Sequence, residues 1–119
     1  MAETTPTDGS AMGLIYTTWP DADSAAAAAE TLLDEGLIAC ANILSGSTSI
    51  YRWKGAVARE TEIVALFKTA AARAAEARDR LAALHPYEEP CILSLAVDSH
   101  ASAAGFLDWL RTETANDPA

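Results

Sequence analysis

The segment His85-Pro86-Tyr87-Glu88-Glu89-Pro90 puts an imidazole, a phenol and two carboxylates into one short loop. Histidine titrates near neutral pH and is a common metal ligand, so the loop could hold a metal ion or move a proton. The same residues also suit a plain structural role, with His85 closing a helix and Tyr87 packing beside it. Cys40 and Cys91 offer thiols of the kind that bind Cu(I) or Zn, although their spacing matches no C-x-x-C site. A free cysteine serves equally as a small buried hydrophobe. A third group, Tyr51, Trp53, Glu62 and Lys68, could line a pocket or an interface and orient a polar ligand, or simply make the cross-strand contacts of a β-ribbon.

Several kinds of chemistry are excluded by what is absent. The chain carries no G-x-x-x-x-G-K-[ST] or G-x-G-x-x-G phosphate loop and no G-x-S-x-G nucleophile elbow. His100, in the run Asp98-Ser99-His100-Ala101-Ser102, has no evident nucleophile partner. These absences favour a non-enzyme with no organic cofactor. The formal net charge is -9, from 17 acids against 8 bases, which opposes binding to nucleic acid or to an anionic membrane. Between Asp21 and Gly36 there are five acids and no base, so the acidity is concentrated on one segment and reads as a solvated helix face. No basic, apolar leader opens the chain, and two cysteines make no disulfide framework, so a reducing cytoplasm is expected.

The elements that must position these residues follow from periodicity. Gly13–Thr18 is a short apolar run that reads as a strand buried on both faces, ended by Trp19-Pro20. Asp21 or Asp23 caps a helix to about Glu35, whose stripe is Ala22, Ala25, Ala26, Ala29, Leu32 and Leu33. Nearly half of the hydrophobic residues are alanine, which suits helices. Leu37–Lys54 and Val57–Thr69 form two long arms joined by a tight turn at Lys54-Gly55, with Ser45-Gly46-Ser47 as a bulge or kink. Arms longer than the ~5–6 residues of a typical strand should project beyond the body and call for cover from another copy. A second helix spans about Ala70–Leu84, Cys91–Val97 reads as a buried strand, and Ser99 or Ser102 caps a last helix with Phe106, Leu107, Trp109 and Leu110. The order βαββαβ with a further helix is that of the ferredoxin-like α+β sandwich, here with a long β-hairpin and an extra C-terminal helix. One domain over 13–113 is expected, between a disordered tail at 1–12 and a frayed one at 114–119.

Longer motifs carry a resemblance. Cys40-Ala41-Asn42, Thr48-Ser49-Ile50-Tyr51-x-Trp53-x-Gly55, Glu62-Ile63, Lys68-Thr69, His85-Pro86-Tyr87 and Phe106-Leu107-Asp108-Trp109-Leu110 together resemble the CutA family of divalent-cation tolerance proteins. The resemblance runs from Leu14 to Arg111. It implies a cytoplasmic homotrimer with a role in tolerance of divalent metals, notably copper. It also implies inter-subunit clefts where Tyr51, Trp53, Glu62, Lys68 and Tyr87 would gather. Copper ligation in that family is assigned to a first-strand Cys, a His of the H-P-Y segment and an acid. The first-strand position matching that Cys is Thr17 here, so His85, Glu88 and Cys40 become the candidate ligands, with Cys40, or else Cys91, substituting only where a protomer boundary brings it close. The alternative is a trimeric small-molecule sensor resembling the PII signalling proteins, which share the topology.

Overall fold

The computed structural model describes residues 11–114. Four antiparallel strands lie in the order β2-β3-β1-β4, where β1 is Met12–Trp19, β2 is Cys40–Trp53, β3 is Ala56–Ala70 and β4 is Ile92–Ala96. Helix α1 spans Ala22–Asp34, α2 spans Ala74–Leu84 and α3 spans Ala104–Glu113. The ferredoxin-like order expected from sequence is the one observed. None of these helices is long and apolar enough to cross a membrane.

Residues paired across an antiparallel ladder share a face, so register divides the sheet into two sides. Ile15, Trp19, Ala65 and Phe67 face the helices and form one core with Ala25, Ala28, Ala29, Leu32, Ala77 and Leu81. Side chains one step out of phase, including Leu14, Tyr16, Leu66, Leu93 and Leu95, lie on the other face. Helix α3 crosses only one end of that face. There Leu107 and Leu110 pack on Met12 and Ala39.

Asp21 caps α1, its side chain accepting from the Ser24 amide at 2.7 Å. The α1 stripe is rotated from the expected one. Ala28 is buried, while Ala22 and Leu33 are exposed, because the sheet and α2 approach from one side only. Helix α2 starts at Ala74, after one 3-10 turn over Ala71–Arg73. Neither Ser99 nor Ser102 caps α3, whose N-cap is Ala103 with no side-chain hydrogen bond; Asp98 caps the 3-10 turn before it, accepting from the His100 amide. Strand β4 is an edge strand whose Leu93, Ser94, Leu95 and Ala96 are exposed, against the expectation of a buried strand.

Both arms of the hairpin are long, 14 and 15 residues. Beyond the Trp19–Ile63 pair β1 ends, and the two arms continue alone as a ribbon. The register shifts between Leu44 and Ser47, as the Ser-Gly-Ser run suggested, and Gly46 supplies the positive φ of 84°. Lys54 (φ 51°) and Gly55 (φ 82°) make the two-residue turn.

Residues 1–10 and 115–119 lie outside the described residues, so most of the expected tails do too. The described residues correct both inner boundaries. Met12 is a buried β1 residue paired with Ala70, and Thr114 is buried with its hydroxyl on the Leu110 carbonyl. Arg73 holds that end by donating to the Thr114 carbonyl at 3.3 Å and the Gly36 carbonyl at 3.4 Å.

Candidate functional site

The loop after α2 returns to the end of β1, which is why His85 meets Trp19. The Trp19 and His85 rings stack with centroids 4.0 Å apart and planes 24° from parallel. The Tyr87 ring is tilted 45° to the imidazole with centroids 4.9 Å apart. His85 Nε2 lies 2.7 Å from the Thr18 carbonyl, and the Tyr87 amide lies 3.1 Å from Nδ1. A carbonyl only accepts and an amide N–H only donates, so the proton sits on Nε2 and Nδ1 is the acceptor. His85 is thus a neutral imidazole with both nitrogens engaged. Burial pushes its pKa down, against weaker upward pulls from the Thr18 carbonyl and the Glu62 charge.

Trp19 is itself fixed from below. Its Nε1 donates to Thr17 Oγ1 at 2.6 Å, and that hydroxyl donates to the Ala65 carbonyl at 2.9 Å. Thr17 is fully buried on the helix side of the sheet. Thr17 is therefore a core hydroxyl whose donor and acceptor capacity are both in use.

On the far side, the Tyr87 hydroxyl donates to Glu62 Oε2 at 2.9 Å. Burial first, then the bond to Glu62 and that group's charge, push the Tyr87 phenol up to about 12. Burial and the Glu62 charge also raise the Cys91 thiol. On the ribbon, the Tyr51 hydroxyl donates to Glu60 Oε1 at 2.6 Å, and this bond raises the Tyr51 pKa.

Of the sequence candidates, the fold brings His85, Tyr87 and Glu62 into one connected group, with Tyr51 next to it through Glu60. It places the others elsewhere in the chain. Trp53 is exposed at the ribbon end, with the Lys54 ammonium 5.8 Å from its ring centre. Lys68 sits six positions along β3 from Glu62, about 20 Å by strand rise, with its ammonium 5.7 Å from the Phe106 ring centre. Cys40 pairs with Lys68, whereas Thr18, the partner of His85, pairs with Val64, so Cys40 sits four β3 positions, about 13 Å by strand rise, from the Thr18 register. Glu88 is exposed on the loop. Among the described residues no three His, Cys, Asp or Glu side chains are grouped to hold a metal ion.

Two members of this group were missed in the sequence. Trp19 reads there only as a strand end, and nothing local shows that a loop 66 positions later will stack on it. Glu60 was legible in principle, because the two-residue turn at Lys54-Gly55 pairs Tyr51 with Ala58 and sets Glu60 on the diagonal.

A ferredoxin-like chain with an overlong hairpin and an aromatic, acidic group at the hairpin root defines the class of protein. Residues 13–113 match the family model for the CutA1 divalent ion tolerance protein. The divalent-cation tolerance protein CutA of Thermus thermophilus is 39% identical over 101 residues, covering 85% of this chain and 96% of that one. The crystal structure of CutA from Xylella fastidiosa superposes with a TM-score of 0.82 at 38% identity, covering 87% of this chain and 97% of that one. The structure from Archaeoglobus fulgidus, described as a periplasmic divalent cation tolerance protein, gives 0.81 at 33% identity, covering 87% and 98%. The chain belongs to the CutA1 family of divalent ion tolerance proteins.

Proposed function

We propose that this protein serves divalent-cation tolerance as a cytoplasmic homotrimer, by binding rather than catalysis. In this reading it binds copper or another divalent cation weakly between subunits and needs no organic cofactor. The observation that carries the assembly is the apolar sheet face that α3 leaves uncovered. Leu93 is 57% exposed, and Leu44 and Leu95 are each 48% exposed, beside an exposed ribbon bearing Ile50, Trp53 and Val57. Apolar area of this kind is normally covered by a partner, and a second copy offers the same chemistry.

For the metal, the geometry favours His85 Nδ1 over Nε2. Its donor is the Tyr87 amide of the loop, whereas Nε2 donates to the Thr18 carbonyl of strand β1. Glu88 is carried on the same loop, and Cys40 reaches His85 only from a neighbouring copy. The sensor alternative loses its regulatory loop to the two-residue turn at Lys54-Gly55. Light scattering is expected to give three times the 12.5 kDa chain mass. Calorimetric titration with Cu(II), Cu(I) and Zn(II) should show weak binding that His85→Ala lowers by about tenfold, ~1.4 kcal/mol. Binding unchanged by that substitution rejects His85 as a ligand.

A further inference from the structure

The loop that carries Tyr87 is tied down at few points. Among the described residues, no backbone-to-backbone hydrogen bond holds residues 86–90. Two of the five, Pro86 and Pro90, have no N–H, and Pro86, Glu88 and Glu89 are exposed. The loop's own hydrogen bonds both come from Tyr87, its amide on His85 Nδ1 and its hydroxyl on Glu62 Oε2. The other side of the imidazole is held differently. The Thr18 carbonyl that accepts from Nε2 belongs to β1, which is paired with β3 along its whole length. A neutral imidazole has one in-plane lone pair. Here it lies on Nδ1, and the Tyr87 amide occupies it. A metal ion and that amide cannot share it.

We propose that residues 86–90 are a latch over His85, closed by Tyr87 and opened when a metal ion takes Nδ1. The inference rests on the reading of His85 as a ligand and adds how that site is regulated. No proton has to leave, because Nδ1 already carries the lone pair. The Tyr87 amide has to leave instead. Amide and phenol belong to one residue, so its bond to Glu62 opens with it, and Glu62, 8% exposed in the closed loop, is uncovered. The Nε2 bond to Thr18 stays and keeps the ring oriented, as an outer-shell carbonyl does for a ligating histidine. The ion binds only the open fraction of molecules, so the apparent Kd exceeds the intrinsic one by the inverse of that fraction. Weakening the latch therefore strengthens metal binding.

Calorimetry of the full chain with Cu(II) and with Zn(II) tests it, on the wild type, Tyr87→Phe and His85→Ala. Tyr87→Phe keeps the ring and removes the hydroxyl. It should tighten binding by about tenfold, the weight of one hydrogen bond to a charged group, while His85→Ala loosens it. A second readout needs no variant. Saturating Zn(II), which is diamagnetic, should speed hydrogen exchange of the wild-type Tyr87 amide by about tenfold or more and leave the β1 amides unchanged, as followed by NMR. Weaker binding in Tyr87→Phe would make the phenol itself a ligand and overturn the latch. Unchanged binding in Tyr87→Phe, or a Tyr87 amide that exchanges no faster with Zn(II), overturns it as well. Binding lowered by His85→Ala but not raised by Tyr87→Phe rejects the latch alone. Binding that His85→Ala leaves unchanged, or no binding of either ion, rejects the ligand reading and the latch with it.

Discussion

The side chains Thr17, Trp19, His85, Tyr87 and Glu62 form one chain of contacts from the core to the hairpin root. Thr17→Val keeps the shape of its side chain but removes the acceptor for the Trp19 N–H. A buried donor left alone costs roughly 1–3 kcal/mol. Urea denaturation should show that loss, and Thr17→Ser should recover most of it. His85 adds a pH dependence of known sign. Its folded pKa lies below the ordinary value of 6.5, so the unfolded chain takes up the proton first as pH falls. Stability is then full above that value and declines as pH drops through it toward the folded pKa. Glu35 and Asp79, held below their ordinary carboxyl values by Arg80 and Arg78, lose their contributions only at more acid pH. Melting curves between pH 8 and 5 should slope in the wild type and flatten in His85→Gln. An equal slope in both would assign it to other groups.

At the scale of the element, the hairpin is the part most completely written in the sequence. Lys54-Gly55 between two strand-forming runs fixes the turn, and Ser45-Gly46-Ser47 marks the bulge. The turn still carries a local cost, because Lys54 holds a φ of 51° that side chains other than glycine, asparagine and aspartate rarely adopt. Lys54→Asn should stabilise the chain by up to about 1 kcal/mol, read as a rise in thermal midpoint. The helices were less legible. An alanine-rich stretch offers almost any stripe, so the buried side of α1 was misplaced by one step around the helix. The last helix takes no side-chain cap, since its N-cap is Ala103; Asp98 caps the 3-10 turn ahead of it, and Ser102 Oγ donates to the Asp98 carbonyl instead.

The described residues measure 48 × 36 × 22 Å, their length extended by a ribbon with no strand beside it. One sheet face carries α1 and α2, while α3 covers only an end of the other. If the proposed trimer forms through the uncovered part, placing charge there should block it and spare the core. Leu93→Glu combined with Leu95→Glu is expected to give a folded single-chain species by light scattering, with far-UV circular dichroism unchanged. An undiminished mass would show that the subunits meet elsewhere.

By itself the sequence determined the order of elements, the long hairpin with its turn and bulge, and family membership. Each of these depends on local propensity or on short motifs with fixed spacing. It also singled out His85, Tyr87 and Glu62. Only the tertiary structure decided what these residues do together. Stacking of Trp19 on His85, the protonation of Nε2, and the bond of Tyr87 to the buried Glu62 all depend on where a loop after α2 lands on the end of β1. That contact joins residues 66 positions apart in the chain. The separation of Cys40 and Lys68 from that group has the same origin, since strand register, not residue type, sets distances along a sheet.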